Sequence, residues 1–101
     1  MKVLYGRRAL REIREIFDFV ATQDTVTAQS IEDEIFRQCE RIGMFPRSNP
    51  MIRTPGIRRC PLVKYPFTIF YRLNEKQHEV TIIAVVQSSR VRNLNSVPKS
   101  R

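Results

Sequence analysis

The sequence has little of what most active sites are built from. It contains one histidine, two cysteines, three glycines and no tryptophan. Cys39, Cys60 and His78 give no spacing that could hold zinc, so we expect no metal site and interpret both cysteines as small core residues. The glycines stand apart at positions 6, 43 and 56, which excludes a glycine-rich phosphate loop. His78 falls in a predicted surface turn, and no nucleophile–histidine arrangement is visible. We expect no cofactor.

Long hydrophobic runs are also missing. No apolar stretch approaches the ~18 residues that a membrane span needs. In the first residues, MKVLYGRRALREI, charged side chains recur too soon for the apolar segment of a signal peptide. We therefore expect a cytoplasmic protein with no membrane association. With 101 residues, of which 42% are hydrophobic, the chain is expected to form a single domain over residues 1–101.

Acidic residues are almost absent from the second half of the chain. Eight of the ten acids lie in the first 40 residues, although the net charge of the whole chain is +8. Seven basic residues and no acid separate Glu40 from Glu75, and four more basic residues without an acid follow Glu79. This asymmetry predicts an acidic partner, either nucleic acid or an acidic protein segment. The alternative is a solvated basic surface that keeps the protein soluble.

Two amphipathic helices are predicted in the first half, over about residues 7–43, after a short first strand. Apolar residues recur at spacings of three and four along both segments, which is typical of helices with one buried face. In the first helix the predicted buried stripe is Leu10, Ile13, Phe17 and Val20. Acid–base pairs four residues apart, such as Arg8 with Glu12, are interpreted as a solvated helix face. Only a few residues join the two predicted helices, so the helices should pack side by side as an antiparallel hairpin.

An antiparallel sheet is predicted over about residues 57–87. The stretch YPFTIFYRLNEKQHEVTIIAVV places two runs of β-branched and aromatic residues on either side of a polar turn. Strict alternation would turn one set of side chains on each strand toward the helices. On the second strand this set is Val80, Ile82, Ala84 and Val86. The predicted fold class is α+β, with the helical hairpin packed on a small antiparallel sheet and a basic tail at residues 88–101.

The side chains left for function are basic ones on and around this sheet. Guanidinium and ammonium groups bind phosphates and carboxylates, and they can stabilise charge that develops at a phosphate during RNA cleavage. The candidates are Arg58, Arg59, Lys64, Arg72, Arg90 and Arg92.

The second half of the chain resembles the ParE branch of the RelE/ParE toxin superfamily. The segments PGIRRCPLVKYPFTIFYRL and EVTIIAVVQSSR carry the resemblance. They contain Gly-x-Arg at Gly56 and Arg58, a tyrosine at Tyr65, an apolar-Phe-Tyr-Arg run at residues 69–72, and the place of a terminal His-x-x-Arg motif at residues 87–90. The resemblance implies a toxin of a type II toxin–antitoxin system. It also implies a small antitoxin as partner, ParD-like or of another kind, in a hetero-oligomeric complex.

Three departures from the ribonuclease pattern bear on the target. RelE-like members cut mRNA on the ribosome, whereas ParE-like members poison DNA gyrase. The strand arginine of RelE-like toxins falls at Thr68, their late histidine at Gln87, and no tyrosine follows Tyr71. The resemblance therefore favours a gyrase inhibitor that is not itself an enzyme, with a role in plasmid stabilization. The alternatives are a RelE-like ribonuclease and a degenerate, non-toxic basic binding module.

Site residues follow from the same comparison. Contact with target or antitoxin is predicted for Arg58, Arg59, Arg72, Arg90 and Arg92. If the chain is a ribonuclease, the catalytic candidates are Arg58, Lys64 and Arg90. The antitoxin is expected to run along the helical hairpin and to reach the sheet near Arg58, Arg72 and Arg90. For Arg90 the alternative is a surface arginine that pairs with a helix carboxylate.

Overall fold

The computed structural model describes residues 1–91 and residue 98. Its elements are β1 (Lys2–Tyr5), α1 (Arg7–Ala21), α2 (Thr25–Met44), β2 (Ile57–Pro61), β3 (Phe67–Asn74) and β4 (Glu79–Gln87), followed by a 3₁₀ turn at Ser88–Arg90. The rest of the predicted basic tail, including Arg92, lies outside the described residues.

The two helices form the predicted antiparallel hairpin, and a polar cap starts the second one. The Asp24 side chain accepts hydrogen bonds from the backbone amides of Val26 and Thr27 at 3.0 and 3.3 Å and from the Thr27 hydroxyl at 2.6 Å. The hydroxyl bond is the main reason why the pKa of Asp24 is lowered. These bonds satisfy amides that the first turn of a helix leaves without partners.

The buried face of α1 differs from the predicted stripe. Ala9 and Ile13 are buried, and Ile16 and Val20 pack against the same core. Leu10 is 50% exposed, so its assignment to the buried stripe is wrong. The inward face is centred on the Ala9 side of the helix, where Ala9 is fully buried.

The sheet has the strand order β1-β4-β3-β2. β2 with β3 and β3 with β4 pair antiparallel, as predicted. β1 instead pairs parallel with β4, with Val3 opposite Val80 and Tyr5 opposite Ile82. A parallel neighbour requires a crossover connection, and the helical hairpin lies on the path between these two strands. The α+β fold is thus confirmed, with a sheet that is mixed rather than antiparallel throughout.

A β-bulge interrupts β4. Phe70 lies opposite Ala84, whereas the next residue, Tyr71, lies opposite Ile82. Ile83 is therefore an extra residue with no partner on β3. Such an insertion reverses the alternation of side chains beyond it.

The reversal divides the residues of β4 between the two faces of the sheet. Val80 and Ile82 belong to the main core under the helices, and beyond the bulge Val85 joins them. Ala84 and Val86 belong to a smaller cluster on the opposite face. The prediction that all four even-numbered residues face the helices is therefore wrong for Ala84 and Val86.

Both faces of the sheet are apolar. The main core includes Cys39 and Cys60, and burial raises the pKa of the Cys39 thiol to about 12 and also raises that of Cys60. The face away from the helices, called here the second face, carries Ile57, Phe70, Ala84 and Val86, with Ile52, Ile83 and Val91 packed against them. The connection from Phe45 to Gly56 supplies Ile52, so it covers part of this face.

Candidate functional site

Arg58 and Tyr71 hold the proline-containing connection between α2 and β2. The two residues lie opposite each other on β2 and β3. The Arg58 guanidinium donates to the Asn49 carbonyl at 2.7 Å, and the Tyr71 hydroxyl donates to the Pro46 carbonyl at 2.7 Å. Burial is the main cause that raises the pKa of Tyr71. The guanidinium of Arg58 therefore forms a structural hydrogen bond to the connection before β2.

Two other predicted arginines, Arg59 and Arg72, share the second face. Arg59 is exposed and lies opposite Phe70, and Arg72 is half-buried and lies opposite Ile57. Partners directly opposite in an antiparallel pair point to the same face. Since Phe70 and Ile57 both belong to the cluster on the second face, the two arginines flank an apolar strip there.

Among the described residues, the second face has few side chains that could transfer protons. Thr68, at the position of the RelE-like strand arginine, is 2% exposed, and its hydroxyl is 2.9 Å from the Ser88 hydroxyl. Gln87, which the sequence analysis placed at the position of the late histidine, is exposed at the end of β4 and lies opposite Phe67, so it belongs to the side of the sheet that faces the helices. A threonine hydroxyl that is buried and hydrogen-bonded cannot replace the charge of an arginine.

Arg90 borders a groove that lies between α1 and the ends of β3 and β4. The groove has a volume of about 620 Å³ and is called here the α1 groove. Its apolar lining includes Phe19 of α1, which is 68% exposed, and Phe67 of β3. Arg90 is exposed, and within residues 1–91 no carboxylate lies at ion-pair distance from it, so the predicted alternative pairing with a helix acid is not seen there.

Glu12, which the sequence analysis placed on a solvated face, lies in the wall of this groove. Its side chain is only 15% exposed. One carboxylate oxygen accepts from the Val85 backbone amide at 2.9 Å, and the other accepts from Arg8 Nε at 3.1 Å. The bulge at Ile83 turns the Val85 amide toward α1. No local sequence signal distinguishes Glu12 from Glu15, which forms a similar pair with Arg11 but is 67% exposed.

The predicted site residues do not form one cluster. Arg59 and Arg72 share the second face, Arg58 supports the connection before β2, and Arg90 borders the α1 groove. Lys64 is exposed in the β2–β3 connection beside the fully exposed Val63. Arg92 lies outside the described residues. Over the described part of the chain, no group of three or more potential metal ligands comes together, and no helix is long and apolar enough to cross a membrane.

These observations describe a small basic protein of the α+β class with arginines on two sides of its sheet. Residues 3–92 match the family of the ParE toxin of the type II toxin–antitoxin system parDE. The chain therefore belongs to the ParE toxin family within the RelE/ParE superfamily. Among curated proteins, none matches it significantly.

Solved structures of related systems share the fold. The chromosomal ParDE toxin–antitoxin system of P. aeruginosa matches at 20% identity with a TM-score of 0.75, over 86% of this chain and 95% of that chain. The intact E. coli RelBE toxin–antitoxin complex matches at 18% identity with a TM-score of 0.64, over 85% and 94% of the two chains. The isolated E. coli RelE toxin gives 18% identity and a TM-score of 0.65, over 90% and 87%.

Proposed function

We propose that this toxin inhibits DNA gyrase in the cytoplasm and that a cognate antitoxin neutralises it. The observation that carries the proposal is the character of the second face. There the position of the RelE-like arginine holds Thr68, buried against Ser88. Cleavage of RNA needs groups that move protons and stabilise charge at the phosphate. A face built from apolar residues and two arginines is better suited to binding than to that chemistry.

The antitoxin partner is supported by the family and by charge. The related structures include complexes whose names describe toxin–antitoxin systems, ParDE and RelBE. The chain carries a net charge of +8, so an acidic antitoxin segment would be attracted from a distance. In our proposal, apolar anchors supply most of the affinity, while arginines such as Arg72 and Arg90 set the register and speed association.

The target can be tested with purified components. The chain is added to gyrase and relaxed plasmid, and in parallel to ribosomes that carry a defined mRNA. We expect loss of supercoiling, relief by the antitoxin, and intact mRNA. Cleaved mRNA with unaffected gyrase would instead select the ribonuclease alternative. If neither activity is affected and nucleic acid binds in a salt-sensitive way, the chain is a non-toxic binding module.

The basic antitoxin contact has a separate test. In the double variant Arg72→Glu and Arg90→Glu, the dissociation constant for the antitoxin should rise at low salt, and the difference should shrink as salt screens the charges. Lys64→Glu, at a residue that is exposed before the start of β3, is the control for the single variants Arg72→Glu and Arg90→Glu, because each of the three makes the same change of charge. An unchanged dissociation constant in the double variant would remove both arginines, Arg72 on the second face and Arg90 at the α1 groove, from the proposed antitoxin contact.

A further inference from the structure

Exposed apolar side chains are concentrated where α2 ends and the connection to β2 begins. Seven large apolar side chains are exposed in the described part of the chain, and three of them lie within residues 44–51. They are Met44, Phe45 and Met51, which are 67%, 55% and 58% exposed and are called here the α2-end patch. Single exposed apolar residues are ordinary, whereas several in one short segment are typical of an interaction surface.

The backbone that carries the patch is fixed by the fold. The Tyr71 hydroxyl donates to the Pro46 carbonyl at 2.7 Å, and the Arg58 guanidinium donates to two further carbonyls of the same connection at 2.7 and 3.5 Å. The Phe45 carbonyl accepts from the hydroxyl of Ser48 at 2.8 Å and from its amide at 3.2 Å. The exposed side chains are therefore presented on a backbone that is already ordered, which lowers the entropy lost when a partner binds.

The α2-end patch lies apart from the two arginines that we assign to the antitoxin. The contact with Tyr71, a residue of the main core, places the patch on the helix side of the sheet, whereas Arg72 belongs to the second face. An ion pair between Arg47 and Glu75 ties the connection to the turn before β4, whereas Arg90 and the α1 groove lie at the other end of that strand. A partner seated on the patch therefore leaves both arginines accessible.

Charge around the patch determines which kind of partner fits. Residues 41–59 contain five arginines and no acid. The Arg41 guanidinium lies 5.9 Å from the centre of the Phe45 ring, and within the described residues no carboxylate lies at ion-pair distance from it. A second copy of this chain would bring like charges together, so the charge opposes self-association and favours an acidic partner.

The apolar side chains favour a protein over a nucleic acid. Methionine adapts its shape to irregular apolar pockets, and aromatic residues, methionine and arginine are all enriched at protein–protein interfaces. Interfaces with nucleic acid are more polar and consist largely of contacts to phosphate and sugar. An aromatic ring beside an arginine would suit either partner, but the two methionines fit a protein.

We propose that the α2-end patch docks this toxin on its protein target, in an apolar pocket with an acidic rim. This inference rests on the proposed function, because it takes gyrase as the target. Phe45 is the central anchor of the contact, and Met44 and Met51 fill the space beside it. The Arg41 guanidinium forms a charge-assisted hydrogen bond with a carboxylate of the rim.

Serine substitutions test the anchors in the intact chain. Phe45→Ser and Met44→Ser remove exposed side chains and keep the backbone hydrogen bonds, so the melting temperature should stay within about 4 °C of the parent. Val26→Ser is the control, because Val26 is 73% exposed and lies roughly 27 Å from Met44 along α2, at a rise of 1.5 Å per residue.

The probes are purified gyrase and the small protein encoded beside this gene, taken as the antitoxin, each titrated against the variants by calorimetry. Phe45→Ser should bind gyrase at least about tenfold more weakly than the parent, Met44→Ser about threefold or more, and Val26→Ser within about twofold. Phe45→Ser should bind the antitoxin as the parent does.

Each contrary outcome has its own meaning. Equal binding of gyrase by Phe45→Ser and the parent overturns the docking surface while the gyrase target stands. Equal weakening toward gyrase and antitoxin would place the patch in the antitoxin interface, and weakened binding to a DNA duplex alone would make it a nucleic-acid surface; both overturn the proposal. If the parent itself does not bind gyrase, the proposed target fails, and the docking proposal fails with it.

Oxidation of the methionines gives a measurement that needs no substitution. Hydrogen peroxide converts exposed methionine to its sulfoxide, and Met44 and Met51 are both exposed in the free chain. Gyrase should slow sulfoxide formation at Met44 by at least about fivefold, whereas the antitoxin should leave the rate unchanged. Equal rates with and without gyrase would overturn the proposal.

Discussion

Glu12 provides the most direct test of how the fold is held together beside the α1 groove. Its carboxylate is the acceptor for the Val85 amide at 2.9 Å and for Arg8 Nε at 3.1 Å. Removing the carboxylate in Glu12→Ala leaves a backbone donor of β4 without its partner in a half-buried place. A donor that loses its partner costs more than the hydrogen bond contributed, because it has also lost its hydration.

The expected size follows from the two contacts. The unpaired amide should cost about 1–3 kcal/mol. The ion pair with Arg8, whose side chain is 34% exposed, contributes at most about 1 kcal/mol because solvent screens it. Glu12→Ala should therefore lower the free energy of unfolding by about 2–3 kcal/mol, which is a fall of roughly 10 °C in melting temperature for a domain of this size. Glu12→Gln keeps an acceptor oxygen and should cost only about 1 kcal/mol.

The control lies one turn along the same helix. Glu15 pairs with Arg11 at 3.9 Å, and both side chains are more than 60% exposed, so Glu15→Ala should change stability by less than about 0.5 kcal/mol. Urea unfolding is measured for all three variants. Glu12→Ala and Glu15→Ala make the same chemical change in a buried and in an exposed environment. If Glu12→Ala and Glu15→Ala cost the same, the bond to Val85 does not stabilise the fold and the reasoning is wrong.

Three further expectations concern separate parts of the molecule. Arg90→Ala should leave the melting temperature within about 2 °C, since exposed substitutions are nearly neutral, but should sharply reduce growth arrest on induction; undiminished arrest would deny it a target role. Gly43→Ala should destabilise by about 1 kcal/mol in urea unfolding, because overpacking outweighs the helix gain: the added methyl would stand 2.6 Å from Val3 Cγ2. Greater stability would show that this contact has room. Burial raises the pKa of Cys39 to about 12 from its ordinary 9.0, so folding favours the neutral thiol, and stability should fall as pH rises between those values. Cys39→Ala should make that fall shallower, and an unchanged slope would assign it to other groups.

The helical half of the fold could be predicted closely from the sequence. The predicted hairpin over residues 7–43 compares with α1 at Arg7–Ala21 and α2 at Thr25–Met44. The reason is that helix signals are local: apolar spacing, a capping aspartate and a short polar turn each act within a few residues. The sequence did not determine which face of α1 is buried. Leu10 and Ala9 both suit a buried position, and packing against the sheet decides between them.

The β-bulge could not be predicted, for an identifiable physical reason. Residues 82–86, IIAVV, are apolar at every position, so shifting the strand by one residue satisfies the hydrophobic pattern equally well. A sequence specifies register most clearly where apolar and polar residues alternate, because a shift by one residue would then expose the apolar set. In β4 the residues of both faces are buried, those under the helices in the main core and those of the second face in the smaller cluster. The sequence pattern therefore carries no information about the insertion at Ile83.

That single insertion connects the features that the sequence could not reveal. It moves Ala84 and Val86 to the second face, and it turns the Val85 amide toward α1, where Glu12 accepts its hydrogen bond. Without the bulge, the Val85 amide would point toward β3 rather than toward Glu12. The contact between Glu12 and Val85 in the wall of the α1 groove is therefore a product of tertiary register, whereas Arg90 at the same groove is visible in the sequence itself.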